Sequence, residues 1–507
     1  MKTETKIFSL LELGSIANGL RQEGKNIVLC HGTFDLLHIG HIRHIESAAK
    51  EGDVLFVTIT ADDFIIKGPG RPVFNEQLRS EHLAALSAVS GVAVVHHASG
   101  LPAIQAIQPH VYVKGGDYKT EDDLTGNILR EKQAVEANGG RIVFTDEITY
   151  SSSKLINDYF DVFLPETKSY LEKIKQHIRS DDVIGCVQSL YNLKVLVIGD
   201  AIVDEYCYAD TLGQTGKYNV LSVKYKDREL FAGGAIAVAN HVAGVVDEVT
   251  LFSGLGDYNS HENFIRSKLK PNIHPEFIYF EKSPTLVKRR YVDADMAKLF
   301  EVYEYNDHPL DGEKERNACC WLNENIENFD LVLVSDFGNG FITDAMVNVI
   351  CNKAKTLAVN TQLNSGNRGY HVINRYSRAD FVSLNEPEIR MAAHDKSGRL
   401  EDIMVQTAAK LRARHVAVTK GRKGIQWYDS NKNQFHSAAA LSTKVVDRIG
   451  AGDAFLSYAG VSVAGGLDTP ICSFVGAAAA ALDVQIVCNR DSVDPVALYK
   501  YVTTLLK

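Results

Sequence analysis

The sequence predicts an α/β protein of two doubly wound parallel-sheet domains, the second carrying a small β lid. Three observations lead there. At 507 residues the chain is too long for one hydrophobic core, so more than one domain is expected. Short, continuous apolar runs alternate with helix-period stretches in both halves, as strands buried on both faces require. Two glycine-containing loops suited to phosphate lie far apart, one within residues 31–41 and one within 447–455.

The first strand is Ile27-Val28-Leu29-Cys30, followed by the run His31-Gly32-Thr33-Phe34-Asp35-Leu36-Leu37-His38-Ile39-Gly40-His41. A helix follows, with Ile42, Ile45 and Ala49 on one face. Gly40 lets the backbone turn closely, and the helix start offers N–H groups to an anion. His38 and His41, three apart, share one side of that start. Later strands are Val54–Thr60, Val92–Val95, Val111–Val113 and Arg141–Phe144. Ligands of such a sheet gather at the carboxyl ends of its strands. Lys67-Gly68-Pro69-Gly70-Arg71-Pro72 sets two cations on a loop, Arg79 begins a helix, and Lys114-Gly115-Gly116 closes a strand. Ser151-Ser152-Ser153 precede another helix. Taken singly, each of these is an ordinary turn or cap.

Residues 161–190 form a helical linker, with Leu171, Ile174 and Ile178 as a stripe after Pro165. A new strand opens at Val195–Asp200. Leu221, Val223 and Tyr225 alternate with polar residues, a half-exposed strand of a flanking sheet. Leu331–Val334 and Val416–Val418 are buried strands. Asp447-Arg448-Ile449-Gly450-Ala451-Gly452-Asp453 precedes an Ala-rich helical stretch. Two glycines there leave N–H groups unobstructed, and Asp453 stands beside them, placed to accept a hydroxyl proton. That role needs only an ionised carboxylate and no unusual pKa.

A net charge of −9 gives no field for nucleic acid, and 45% apolar with 23% charged residues is an ordinary globular balance. The eight cysteines contain no C-x-x-C pair, and the adjacent Cys319-Cys320 is a poor disulfide, which suits a reducing compartment. No apolar run approaches a membrane span, and Met1–Lys6 lacks a signal-peptide core. A cytoplasmic protein is expected.

The Gly32–His41 run resembles the signature of the cytidylyltransferase-like nucleotidyltransferases, which join an NTP to a phosphorylated alcohol or sugar and release pyrophosphate. The resemblance implies a Rossmann-like domain over 1–160. His38 and His41 would stabilise charge on the α-phosphate. Gly32, Thr33, Phe34, Asp35, Gly40, Lys67, Arg71, Lys114, Gly115, Ser151, Ser152 and Ser153 would hold nucleotide and phosphate.

Over residues 191–507, Gly233-Gly234 through Asn240, Asn385-Glu386-Pro387-Glu388, Thr419–Gly424 and the Gly450–Asp453 loop together resemble the ribokinase-like PfkB carbohydrate kinases. By that resemblance Asp453 is the catalytic base, and Gly450, Ala451 and Gly452 form the anion hole. Asn385 and Glu388 organise Mg²⁺ and phosphate, Glu388 indirectly, while Thr419, Gly421 and Gly424 shape the ATP pocket. Asp204, Gly233, Gly234 and Asn240 hold the sugar, and Lys288 and Arg290 meet a phosphate on it; a solvated basic strand is the equal alternative for that last pair. Arg448 stands where Thr is usual, Val359-Asn360-Thr361-Gln362 replaces Val-Asp-Pro-Lys, and Asn489 falls near a usual glycine.

Together the halves are similar to the bifunctional heptose kinase/adenylyltransferases with the domain order reversed. That implies ATP, Mg²⁺, sugar phosphate and nucleotide substrates, a homo-oligomer formed through the kinase domain, and a nucleotide-activated sugar such as ADP-heptose as product. Alternatively the N-terminal half uses CTP to make a CDP-alcohol or CDP-sugar, and the kinase-like half only binds.

Overall fold

The computed structural model describes residues 3–65, 70–116, 127–145, 162–306 and 308–507. The chain divides into two compact units, Met1–Leu164 with Tyr499–Lys507, and Pro165–Leu498.

The first unit is built on β1 (Ile27–Gly32), β2 (Val54–Thr60), β3 (Gly91–Val95), β4 (Val111–Gly115) and β5 (Arg141–Thr145). All are parallel, in the order β3-β2-β1-β4-β5. The chain winds outward from β1 to β3, then crosses back to β4. The carboxyl ends of β1 and β4 therefore flank a switch point, where such sheets bind ligands. Strand alternation explains the unbroken apolar run of β1. Ile27 and Leu29 pack with Leu13, Ala17, Ile104 and Ile107, whereas Val28 and Cys30 pack with Ile45, Ala48 and Leu83 on the other face. Truncating one of these, Leu29→Ala, is expected to cost about 2–5 kcal/mol, readable as a shifted denaturant midpoint.

Among the described residues the second unit holds twelve strands. They are β6 (Lys194–Gln214), β7 (Leu221–Gly234), β8 (Glu248–Tyr258), β9 (Ile273–Pro284), β10 (Val287–Val292) and β11 (Lys298–Glu304). Then follow β12 (Leu331–Asp336), β13 (Leu357–Thr361), β14 (Phe381–Asn385), β15 (His415–Thr419), β16 (Ile425–Asp429) and β17 (Gln434–Ala438). The main sheet is parallel from β9 through β8, β6, β12, β13 and β14 to β15, and ends in antiparallel β16 and β17.

The expected strand at Val195–Asp200 is only the first part of β6. Beyond Asp200 the strand leaves the main sheet and pairs antiparallel with β7 and parallel with β10, which pairs with β11. These four form the lid. Ala201–Cys207 is buried because it crosses from one sheet to the other, and the half-wet face read from Leu221, Val223 and Tyr225 belongs to β7.

Residues 161–190 carry two helices, Pro165–Lys175 and Ser180–Gln188, which lie within the second unit. They bury Leu171, Ile174, Val183 and Val187. At the other end of the chain Tyr501 and Val502 are buried in the first unit. Deleting residues 499–507 is therefore expected to lower the first unit's melting transition by several degrees in calorimetry. An unmoved transition would count against that packing.

Candidate functional site

In the first unit the helix Ile39–Ala49 starts at the carboxyl end of β1. His38 is its N-cap, and Nδ1 accepts the Gly40 N–H at 3.1 Å. The other ring nitrogen, Nε2, then carries the proton of the neutral ring. Burial pushes the His38 pKa down, which favours that neutral form. The His38 and His41 rings stack 4.0 Å apart, and Phe34, in the left-handed region at φ 48°, sets its edge against His41 at 5.3 Å. A bulky residue held there is a strained feature of the kind that gathers at functional sites.

Asp35 Oδ1 accepts the N–H groups of Val73 and Phe74, which anchors the loop that carries Arg71 beside it. Arg79 lies inside the helix Glu76–Ala84 rather than at its start. It is wholly buried, donating to the carbonyls of Thr33, Thr60 and Phe74 and to Asp62. It braces the loop rather than meeting a ligand. Lys114, read as a phosphate cation, is buried and ion-paired to Glu131 at 3.0 Å. Glu131 also accepts from the Gly100 N–H and the Tyr112 hydroxyl. Gly115 ends β4 beside it. Lys67, Ser151, Ser152 and Ser153 lie outside the described residues.

In the second unit Asp453 occupies the first turn of the helix Ala451–Ala464. Gly450, its N-cap, has φ 100°, and a Cβ there would lie 2.8 Å from both Asp483 Oδ2 and Asn489 Oδ1. Only glycine fits. The N–H groups of Ala451, Gly452 and Asp453 have no carbonyl a turn earlier in the helix, so they can serve an anion. Asp447 ties the approach to this turn. Its Oδ1 accepts from the Arg448 and Ile449 N–H groups, and its Oδ2 from the Cys488 N–H and the Tyr206 hydroxyl on β6.

Asp204, on β6, is buried and faces this loop. It accepts from Arg290 and, at 3.4 Å, from Asn489 Nδ2. A Cβ on Gly233 would lie 2.0 Å from the Asp204 carboxylate, so Gly233 makes that carboxylate's room, and Gly234 follows it at the end of β7. Arg290 is spent, since its Nε donates to Glu301 at 2.9 Å. Of the pair read as meeting a sugar phosphate, Lys288 is the cation that stays near the acceptor site. It is buried over the Phe337 and Tyr303 rings, its pKa lowered by burial and raised by Asp204. Asn240 is used elsewhere, bonding the Lys268 carbonyl and the Lys270 N–H.

Asn385 and Glu388 form a reciprocal capping box at the start of the helix Glu386–Ala393. Glu388 also accepts the Leu363 N–H, and burial pushes its carboxyl up to about 7. Thr419 ends β15, with Gly421 and Gly424 in the turn after it. Asp453 shows the largest departure from the sequence expectation. Burial first, then the Asp483 and Asp204 carboxylates, push it up to about 8, while Lys288 opposes them. Asp200, which read only as a strand end, is pushed up to about 6 and accepts N–H groups from the loop after β12. Asp483, which the sequence reading did not single out, closes the helix Thr469–Asp483 and is fully buried, 3.4 Å from His241. A single acid closing an Ala-rich helix is the signal that could have found it.

Among the described residues no three His, Cys, Asp or Glu side chains converge as a metal cage. Magnesium is usually held by one or two carboxylates together with phosphate oxygens and its own waters. The buried Glu388 carboxyl beside the Asn385 amide fits that arrangement, acting through water.

Each unit carries a phosphate-type loop, the helix start at Ile39 in the first and the Gly450–Asp453 turn in the second, as proteins that handle phosphate groups do. The chain belongs to the pfkB family of carbohydrate kinases, which matches residues 192–492. Residues 29–158 match the cytidylyltransferase-like family. Bifunctional protein HldE of Desulfatibacillum aliphaticivorans is 39% identical over 158 residues, covering 31% of this chain and 31% of that protein. Bifunctional protein HldE of Hyphomonas neptunium is 43% identical over 138 residues, 27% of each. These matches cover the cytidylyltransferase-like region and less than a third of the relatives' length. The crystal structure of phosphofructokinase-2 from Escherichia coli in complex with substrates and products has a TM-score of 0.50 at 13% identity. It covers 62% of this chain and 99% of that one, and what is shared is the fold.

Proposed function

We propose that this chain makes a nucleotide-activated sugar in two reactions. The second unit phosphorylates the anomeric hydroxyl of a sugar or sugar phosphate with ATP. The first transfers a nucleotidyl group to a sugar 1-phosphate and releases pyrophosphate. ADP-heptose or a relative is the product that the HldE similarity supports. The observation that carries the reading is the pairing, in one chain, of the stacked His38–His41 start with the Gly450–Asp453 turn.

In phosphorylation Asp453 takes the proton of the sugar hydroxyl as its oxygen attacks the terminal phosphorus, and ADP leaves. The N–H groups of Ala451, Gly452 and Asp453 donate to the negative charge that develops on the phosphate. Asp204 orients the sugar, itself held by Arg290. Mg²⁺, when bound near Glu388 and Asn385, supplies charge neutralisation on phosphate. In nucleotidyl transfer the imidazoles of His38 and His41 donate toward the α-phosphate while Arg79 keeps the Thr33 loop fixed. ATP serves both sites in this reading; CTP at the first is its competitor. Incubating each NTP with a panel of sugar 1-phosphates and measuring pyrophosphate decides between them.

The reading extends to a cytoplasmic setting, supported by eight free cysteines, and to pairing of copies through the kinase unit. Its domain boundaries are 1–160, a helical linker 161–190, and 191–507. No helix among the described residues is long and apolar enough to cross a membrane.

The pH dependence follows from Asp453. The ionised form is the base, and the carboxyl is pushed up to about 8. For phosphorylation, kcat/KM should rise roughly tenfold per pH unit below that value and level off above it. A flat profile between about pH 6 and 9 would remove Asp453 as base.

A further inference from the structure

A groove of about 540 Å³ opens beside the acceptor site in the second unit. Tyr305, Asn339, Asp311, Glu315 and Arg375 are among its walls. It adjoins a smaller cavity that reaches Asp200, and both share Tyr305 and Asn339. Packing ties this region to the acceptor site. Lys288 lies over the Phe337 ring at 5.1 Å, and the Phe337 N–H donates to Asp200. Gly338, Asn339 and Gly340, which follow Phe337, line the groove. Asn339 stands at the junction, and its Nδ2 is buried with no hydrogen-bond partner among the described residues.

The charge of the lining selects the ligand. Arg375 looks like an anion receptor but is already engaged. Its NH1 donates to Asp336 at 3.1 Å and its NH2 to Asp344 at 2.7 Å. His371 faces Asp336 at 2.6 Å. Asp311 and Glu315 add two carboxylates to the wall. A phosphate or carboxylate entering this space meets like charge and a spent guanidinium, whereas hydroxyl groups find acceptors on the carboxylates and a donor on Asn339. A volume of this size exceeds what a hydroxymethyl group fills.

We propose that this groove is a second acceptor subsite, which holds an uncharged, hydroxyl-rich extension of the sugar at the end away from the phosphorylated hydroxyl. The inference rests on the kinase reading of Asp453 and Asp204. It deepens that reading by assigning the acceptor class: a sugar extended by a glycosyl or polyol group rather than by a phosphate.

The test is calorimetric binding to the full chain with a matched series. The probes are glucose and mannose, each as the free sugar, with a hexosyl group on O6, and with phosphate on O6. The glycosylated forms should bind at least about tenfold tighter than the free sugars, and the phosphorylated forms more weakly than either. Glu315→Arg, at the groove wall, should erase the preference for glycosylated forms while leaving free-sugar binding within about twofold. Glu313→Arg makes the same charge change on the same helix and should leave the whole ranking intact. Tighter binding of the phosphorylated forms, an unchanged ranking in Glu315→Arg, or no binding by any probe would overturn the subsite. ADP release on the same samples reads the kinase separately: sugar bound without turnover rejects the kinase reading, and turnover without the ranking rejects only the groove.

Discussion

Asp453→Asn is expected to leave ATP and sugar bound while sugar phosphorylation falls by roughly two to four orders of magnitude. The amide keeps the shape of the turn and the anion hole but cannot take the hydroxyl proton. Nucleotidyl transfer from a supplied sugar 1-phosphate should not change, because His38 and His41 lie in the other unit. The same substitution should raise the melting temperature. A carboxyl whose folded pKa stands near 8 stabilises the fold fully only below its unfolded value near 4. That stability is lost as pH climbs through the interval, because the unfolded chain ionises the carboxyl while the fold keeps it protonated, and above about 8 the buried charge itself is a cost. Removing it should stabilise most at alkaline pH. If Asp453 merely capped its helix, the amide would serve as well and the variant would keep its turnover. A coupled ADP assay, paired with calorimetry for binding, separates the two.

His41→Ala and His38→Asn should each suppress pyrophosphate release about a hundredfold or more, a loss of about 3 kcal/mol of transition-state stabilisation. Sugar phosphorylation should be spared. Asn is the informative choice at His38 because its amide oxygen can still accept the Gly40 N–H, now taken by Nδ1. It preserves the cap and removes the Nε2 donor. Alanine at the same position would lose both, and a fall in activity could then reflect a frayed helix start. Near-full nucleotidyl transfer in both variants would show that the stacked pair is a packing feature.

These two sites were legible in the sequence because their signals are local. A helix start that must present N–H groups needs small residues and a left-handed turn in consecutive positions, as Gly450 to Asp453 supply. The His38–His41 spacing puts two rings on one side of one turn without help from elsewhere. The strands were equally visible, since a parallel sheet covered on both faces leaves unbroken apolar runs such as Val28 to Cys30 and Leu331 to Val334.

Cations were harder to read. Lys114 and Arg290 both resembled phosphate ligands, yet each is paired inside its unit, with Glu131 and Asp204 respectively. A charge next to a glycine loop looks the same in sequence whether it faces a ligand or a buried carboxylate. Asn240 failed for a related reason: its amide was available to any neighbour, and the loop at Lys268–Lys270 took it.

By itself the sequence determined the two α/β units, their order along the chain, the two phosphate-type loops and the chemical kind of group each presents. Those features depend on residues within one or two turns of each other and on the period of apolar burial. Tertiary structure decided what depends on residues far apart. It carried β6 from the main sheet into the lid, drew Tyr499–Lys507 into the first unit, and spent Arg290 on Asp204. It buried Asp453 and brought Asp483 and Asp204 near it, which together hold its proton up to about pH 8. Burial and Coulomb interaction sum over everything packed around a group, and only the folded chain states which residues those are.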